Sequence, residues 1–203
     1  MKFSTVNEVT GEVTSLIKCL APGRPRQYRF NGQVGRFNID GTRDMGTTLT
    51  LQPAAWRVFE ENLFGRGRNE VWAEIFFVDE SFALSSIMFN NSSVNELYNL
   101  MEPLFYDDLT LANVVLTITS EKKANKKISP VGTWYLAKFT YTEADPADVA
   151  ELREYALHNA VFRADTITDT AVYSLVSDTF AVGYALPEPV AAPVLELPAP
   201  AEA

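Results

Sequence analysis

Short segments rich in valine, threonine and aromatic residues follow one another closely along this chain, and turn-forming residues separate them. Asn31-Gly32, a strong hairpin signal, interrupts one such pair of segments, and Asp40-Gly41 follows as a second turn. Further segments of this kind lie at 71–78, 82–89, 109–120 and 133–142. Because β-branched and aromatic residues favour strands, the pattern predicts a chain of about eight short strands.

Three segments carry helix signals instead. Pro53, at a favourable first helical position, precedes an apolar stripe that predicts a helix over 54–64. Ser93 begins a capping-box pattern, which predicts a second helix that ends at Pro103. An N-cap aspartate followed by proline predicts a third helix over 145–158.

The last eighteen residues differ in composition from the rest of the chain. Residues 186–203 are rich in Pro, Ala and Glu and show neither a helical nor a strand period, so we expect a flexible, disordered C-terminal tail. Residues 1–185 are expected to form one β-rich α+β domain. The fold class that we predict is an OB-like barrel or a curved antiparallel sheet with about three inserted helices.

The net charge of −9 is distributed unevenly. Residues 1–69 carry ten Lys and Arg against six Asp and Glu, whereas residues 143–203 carry two against eleven. The intervening segment has five basic and nine acidic residues. An acidic total therefore does not exclude a polyanionic partner, because the front of the chain is basic and the back is acidic.

Eight of the ten arginines lie within residues 24–68, with aromatic residues between them. Guanidinium groups bind phosphate bidentately, and aromatic rings on strands can stack unpaired bases. The candidate nucleic-acid-binding residues in this region are Arg24, Arg26, Tyr28, Arg29, Phe30, Arg36, Phe37, Arg66, Arg68 and Trp72. The alternative is that the aromatic residues form core and the arginines a solvated rim.

A second basic element joins two predicted strands. Lys122, Lys123, Lys126 and Lys127 form two lysine pairs in a charged loop from Glu121 to Lys127. Such a hairpin tip could bind a phosphate backbone by charge alone, without sequence specificity. A solvated loop is the alternative.

Signals for catalysis are absent from the sequence. It has no phosphate-binding or hydrolase motif, one histidine (His158) and one cysteine (Cys19). The acid pairs Asp79-Glu80 and Asp107-Asp108 are interpreted as turn formers rather than metal ligands. We therefore expect a non-enzymatic protein with no cofactor and no metal. Without a signal-peptide pattern or a long apolar run, we expect a cytoplasmic protein with no membrane partner.

The layout resembles that of bacteriophage-type single-stranded-DNA-binding proteins. The resemblance rests on Tyr28-Arg29-Phe30 to Arg36-Phe37, the loop Arg66-Gly67-Arg68, the strand Trp134–Tyr141 and the terminal segment. It implies an OB-type domain with a basic, aromatic groove, single-stranded DNA as partner, a role in DNA replication, and the host cytoplasm as location. The C-terminal segment departs from the family pattern, because it is rich in Pro and Ala and lacks a dense acidic run.

Three hypotheses follow. The first is a non-enzymatic, homo-oligomeric binder of single-stranded nucleic acid, with an acidic C-terminal part available to a protein partner. The second is a self-assembling structural subunit of a virion or filament, in which the basic face of one copy meets the acidic face of its neighbour. A third is an inhibitor or adaptor whose acidic helix at 145–158 mimics nucleic acid.

Overall fold

A computed structural model describes residues 2–127 and 131–180. The C-terminal segment 186–203, predicted to be a tail, lies outside the described residues. The described residues form β1 (Ser4–Val6), β2 (Val13–Ser15), β3 (Arg26–Asn31), β4 (Arg36–Ile39), β5 (Arg43–Gly46), β6 (Thr48–Leu51), β7 (Pro53–Glu61), β8 (Glu70–Val78), β9 (Leu84–Asn90), α1 (Ser92–Tyr106), β10 (Val114–Asn125), β11 (Gly132–Glu143), α2 (Pro146–His158) and β12 (Val172–Val176).

Seven strands form the main sheet, in the order β12-β7-β8-β9-β3-β4-β5. All neighbours in it are antiparallel except β3 and β9, which are parallel. A three-stranded sheet (β11-β10-β6) and the small β1-β2 hairpin complete the described strands. The β-rich α+β prediction is confirmed. Neither larger sheet closes on itself within the described ranges, so the closed OB-like barrel is not what these residues form.

The core lies between the seven-stranded sheet, the three-stranded sheet and α1. Alternate residues of each strand point into it, as the two-residue period of a strand requires. Its fully or almost fully buried members include Phe37, Trp56, Ile75, Ile87, Leu97, Leu104, Leu116 and Ile118. Removing a side chain of this kind from water stabilises the fold by about 1.5–3 kcal/mol.

The predicted helix over 54–64 is wrong, because this segment is strand β7. Eight of its nine residues are buried, so both faces of the strand are covered. A strand buried on both sides shows no polar alternation, and periodicity cannot distinguish it from a buried helix segment. The described residues therefore contain two α-helices, where the sequence predicted about three.

The other two predicted helices are present, and the first of them differs from the prediction at both ends. Asp145 caps α2 as expected, since its carboxylate accepts the backbone N–H of Ala147 at 2.8 Å. Helix α1 instead begins after Asn91, and no side chain caps it. The hydroxyl of Ser93, the predicted cap, accepts the backbone N–H of Ala137 at 3.2 Å. Pro103 lies inside the last turn rather than ending the helix.

Candidate nucleic-acid interface

Strand register brings three chain segments to one end of the seven-stranded sheet. Arg29 of β3 pairs with Met88 of β9, and Trp72 of β8 pairs with Asn90 of β9. The end of β3, the end of β9 and the start of β8 therefore lie side by side. Neighbouring strands are about 4.8 Å apart, so the β3–β4 turn and the β7–β8 loop are close neighbours at this edge. We call this edge the basic end.

The β10–β11 hairpin is attached to the basic end at the β3–β4 turn. The backbone N–H of Tyr135 donates to the carbonyl of Gly32 at 2.7 Å. Gly35 has a φ of 70°, and a Cβ there would lie 2.3 Å from the Ser120 hydroxyl and from the Tyr135 ring. Glycine at this position lets the turn and the hairpin approach closely, since no side chain would fit.

The end of this hairpin is basic and extends past the sheet. Strand β6 pairs only with Leu116–Thr119 of β10, whereas β10 and β11 stay paired to Asn125 and Gly132. From Lys122, opposite Tyr135, β10 continues for about 10 Å at 3.3 Å per residue. The predicted charged loop is thus largely strand, and Lys122 and Lys123 lie within β10.

The lysines of the hairpin differ in their ion pairing. Lys123 pairs with Glu121 at 2.6 Å. Lys122, Lys126 and Lys127 are exposed and form no ion pair within residues 2–127 and 131–180. Their charge is available to an external anion.

Two exposed aromatic side chains accompany these charges. Trp134, directly opposite Lys123, is 41% exposed and lines a groove of about 200 Å³ together with Phe30 and Asn90. Phe64, in the β7–β8 loop, is 60% exposed and has a φ of 59°. A positive φ is rare for a residue other than glycine and is typical of functional sites. Sequence reasoning did not select either residue as a binding candidate.

Arg66 and Arg68 lie in the same β7–β8 loop, and both bind the buried carboxylate of Glu70, at 2.7 and 2.9 Å. Burial alone would raise the pKa of Glu70, but hydrogen bonds from Arg68, Asn90 and Arg66 outweigh it and lower the pKa to about 2. The two guanidinium groups remain partly exposed, Arg68 at 74%. The loop is thereby held in place while its outer surface stays basic.

Three of the predicted stacking residues are core residues instead. Tyr28 donates its hydroxyl to Asp79 at 3.2 Å, and burial together with the charge of Asp79 raises its pKa to about 12. Phe37 is fully buried beside Phe30. Trp72 donates its indole N–H to the carbonyl of Glu61 at 3.1 Å and lies beneath Arg66. None of these rings presents a face on which a base could stack.

The remaining predicted arginines are dispersed. Arg36, at the start of β4, forms an ion pair with Asp44 near the basic end, and Arg29 is exposed in the middle of β3. Arg26 pairs with Asp79 at 3.2 Å at the opposite end of β3, where Arg24 lines a separate cavity of about 650 Å³. Arg24 and Arg26 are therefore not part of the basic end.

Helix α2 lies away from the basic end. It packs through Leu152 against Ala54, at the start of β7, while the β7–β8 loop follows the end of that strand. Glu154 is its exposed carboxylate, since Asp148 and Glu151 are partly buried. Acidic side chains such as Glu70 also lie at the basic end, so the uneven charge of the sequence is only partly a separation of charge in space.

Other kinds of site find little support in the described part of the chain. It contains no group of three or more His, Cys, Asp or Glu side chains that could hold a metal ion. Within it, no helix has the length and apolar character needed to cross a bilayer. Among known proteins, no family model matches the sequence, and no curated protein or solved structure is significantly similar to it.

Proposed function

We propose that this protein is a non-enzymatic binder of single-stranded nucleic acid, which it holds across the basic end. The observation that carries the proposal is the presence there of lysines that form no ion pair with any described residue (Lys122, Lys126, Lys127), together with two exposed rings, Trp134 and Phe64. Lysines bind phosphates without regard to sequence, and exposed rings stack bases only when those bases are unpaired.

Each element of the basic end has a distinct role in this proposal. The hairpin supplies positive charge beyond the edge of the sheet. The β7–β8 loop, fixed by Glu70, supplies Arg66 and Arg68 in set positions, which suits bidentate contacts to phosphate. The groove between Phe30 and Trp134 accommodates a base beside the ring on which it stacks.

Fluorescence anisotropy of a labelled oligo-dT tests the proposal. We expect binding at about 50 mM salt that weakens steeply as salt is raised, and much weaker binding of duplex DNA. Replacing Lys122, Lys126 and Lys127 by Gln should reduce the slope of log K against log salt by about 2, since each phosphate contact to a single strand contributes about 0.7.

The matched control removes the same charge away from the basic end, through Lys2→Gln, Lys18→Gln and Arg153→Gln. This control should keep the wild-type salt slope. Absence of any anisotropy change at low salt, or an equal loss in the control variant, would contradict the proposal. An oligo-rU arm distinguishes an RNA binder from a DNA binder.

Self-assembly is the second candidate, and the uneven distribution of charge along the chain favours it. Strands β12 and β5 are the outer strands of the sheet, with no further described strand beyond them. A head-to-tail contact between the basic end of one copy and α2 of the next would build an open fibre or ring. Light scattering of the protein alone separates the two: large, salt-sensitive particles without nucleic acid favour assembly, and a monomer or dimer that binds oligo-dT favours the first proposal.

A further inference from the structure

A second surface, away from the basic end, is an aromatic-lined groove between α1 and β12. Its volume is about 420 Å³. Four aromatic side chains line it, together with two aliphatic residues of the outer strand: Trp56, Tyr98, Phe105, Tyr106, Leu175 and Val176. We call it the aromatic groove.

The aromatic groove exposes much apolar surface. Phe105 and Tyr106 are 75% and 76% exposed, and Leu175 and Val176 are more than one-third exposed. Contiguous apolar surface of this kind, rimmed by polar groups such as Asn99 and Glu102, marks an interaction site.

One residue that lines the groove has a hydrogen-bond donor without a partner among the described residues. Trp56 is 5% exposed, and its indole N–H has no acceptor within residues 2–127 and 131–180. A buried N–H without a partner costs about 1–3 kcal/mol, so a small movement of the Trp56 ring that lets an occupant's carbonyl oxygen reach the N–H would be stabilising.

The chain itself contains a segment of matching chemistry. Five of its eleven prolines lie in residues 186–203, interspersed with Leu, Val and Ala. Proline-rich segments favour the polyproline II conformation, whose carbonyls all point outward without internal hydrogen bonds. Grooves lined by aromatic residues are the usual receptors for such segments, because little entropy is lost on binding.

The last described residues lie next to the groove, which makes this contact feasible. Strand β12 contributes Leu175 and Val176 to the groove, the backbone N–H of Ser177 donates to the carbonyl of Trp56, and the described chain ends at Phe180. The twenty-three residues that follow can span up to about 75 Å when extended. A short tether also keeps the effective concentration in the millimolar range.

We infer that residues 186–200 of the same chain bind in the aromatic groove in a polyproline II conformation and give a carbonyl to the indole N–H of Trp56. The contact covers Phe105 and Tyr106. This inference is independent of the proposed nucleic-acid binding, because the basic end takes no part in it.

Paramagnetic relaxation in the full-length protein tests the inference. Cys19 is the single cysteine, so Cys19→Ser with Ala199→Cys places one spin label near the chain end. The protein has three tryptophans, and their indole N–H signals report on three separate places. The Trp56 signal should lose most of its intensity relative to the reduced label, while the Trp134 signal at the hairpin keeps its intensity.

Two further samples make the outcome decisive. Phe105→Ser with Tyr106→Ser, at exposed positions that the core does not need, should restore the Trp56 signal. Mixing isotope-labelled protein without spin label and spin-labelled protein without isotope should leave the Trp56 signal intact. A Trp56 signal that is unaffected by the label in cis overturns the inference, and so does a loss in the mixed sample, which would assign the groove to the tail of a second copy.

Discussion

Two hairpins, β7–β8 and β10–β11, reach the same end of the molecule, and both carry basic and aromatic residues there. These residues differ in their ion pairing and in their burial. In β7–β8 the arginines bind Glu70 and Trp72 is buried. In β10–β11, Trp134 is exposed and three lysines have no ion pair with any described residue. A buried carboxylate therefore decides whether basic residues beside an aromatic ring become part of the structure or remain available for binding.

The largest expected effect concerns the buried ion pair that joins β7 to β8. Arg57 is fully buried, donates to Glu74 at 2.6 Å and lies among four aromatic rings. Complete burial raises the pKa of Glu74, which the charge of Arg57 opposes. Arg57→Met should lower the free energy of unfolding by about 3–5 kcal/mol, because it leaves a buried carboxylate unpaired.

Urea unfolding measures this loss, and a double variant provides its control. Arg57→Met with Glu74→Leu removes both charges and should recover much of the stability, since apolar replacement of a buried pair is often neutral. A single variant as stable as the wild type would show that the pair does not hold β7 to β8.

Glu70→Gln tests the ion pairs that hold the β7–β8 loop in place. The variant should lose about 1.5–3 kcal/mol at pH 7, the usual contribution of hydrogen bonds to a charged group. The pKa of Glu70 falls from 4.5 to about 2 on folding, so the stabilisation is complete above pH 4.5 and disappears as the pH falls towards 2. Stability curves of the wild type and the variant should therefore converge over that range. Parallel curves would contradict the assignment.

Trp134→Ala tests whether the exposed indole ring of β10–β11 stacks a base. We expect oligo-dT affinity to fall by about 1–3 kcal/mol, the range for loss of one stacked base, with the salt slope unchanged. Phe105→Ala, which removes a more exposed aromatic ring in the aromatic groove, serves as the control and should leave affinity unaltered. A fall with Phe105→Ala and none with Trp134→Ala would place the binding surface elsewhere.

The smallest effect compares two lysines within one hairpin. Lys122→Gln should reduce the salt slope of oligo-dT binding by about 0.7, because that charge is unpaired. Lys123→Gln should change the slope less, because Glu121 already holds its ammonium group at 2.6 Å. Neither substitution should move the urea midpoint. Equal slopes for the two variants would remove the distinction between paired and unpaired lysines.

Local sequence signals predicted the hairpins well. The turns at Asn31-Gly32 and Asp40-Gly41 connect β3, β4 and β5, and Asp145 caps α2. These features depend on a few neighbouring residues, whose turn and capping chemistry can be read directly. Strand β7 could not be read in this way, because a strand covered on both faces depends on partners far along the chain.

The sequence indicated where the basic residues of the candidate site lie. It did not indicate which of the aromatic side chains are exposed. The two lysine pairs of the β10–β11 hairpin and the arginines of the β7–β8 loop lie at the basic end, as a shared binding surface would require. The exposure of Trp134 and the burial of Trp72 depend on strand register, which the sequence alone does not determine. The positive φ of Phe64 is visible in the structure alone, so no local sequence signal drew attention to that ring.

The parallel pairing of β3 with β9 has a consequence for the energetics of binding. Arg26 pairs with Ser85, so this contact closes a long stretch of chain, while β3-β4-β5 and β7-β8-β9 are each built from local hairpins. The sheet is thus two locally connected pieces joined along one seam, and the basic end straddles it, with Gly32 on one side and Glu70 on the other. A strand of nucleic acid bound there would hold both pieces together, so binding and closure of the seam should strengthen each other.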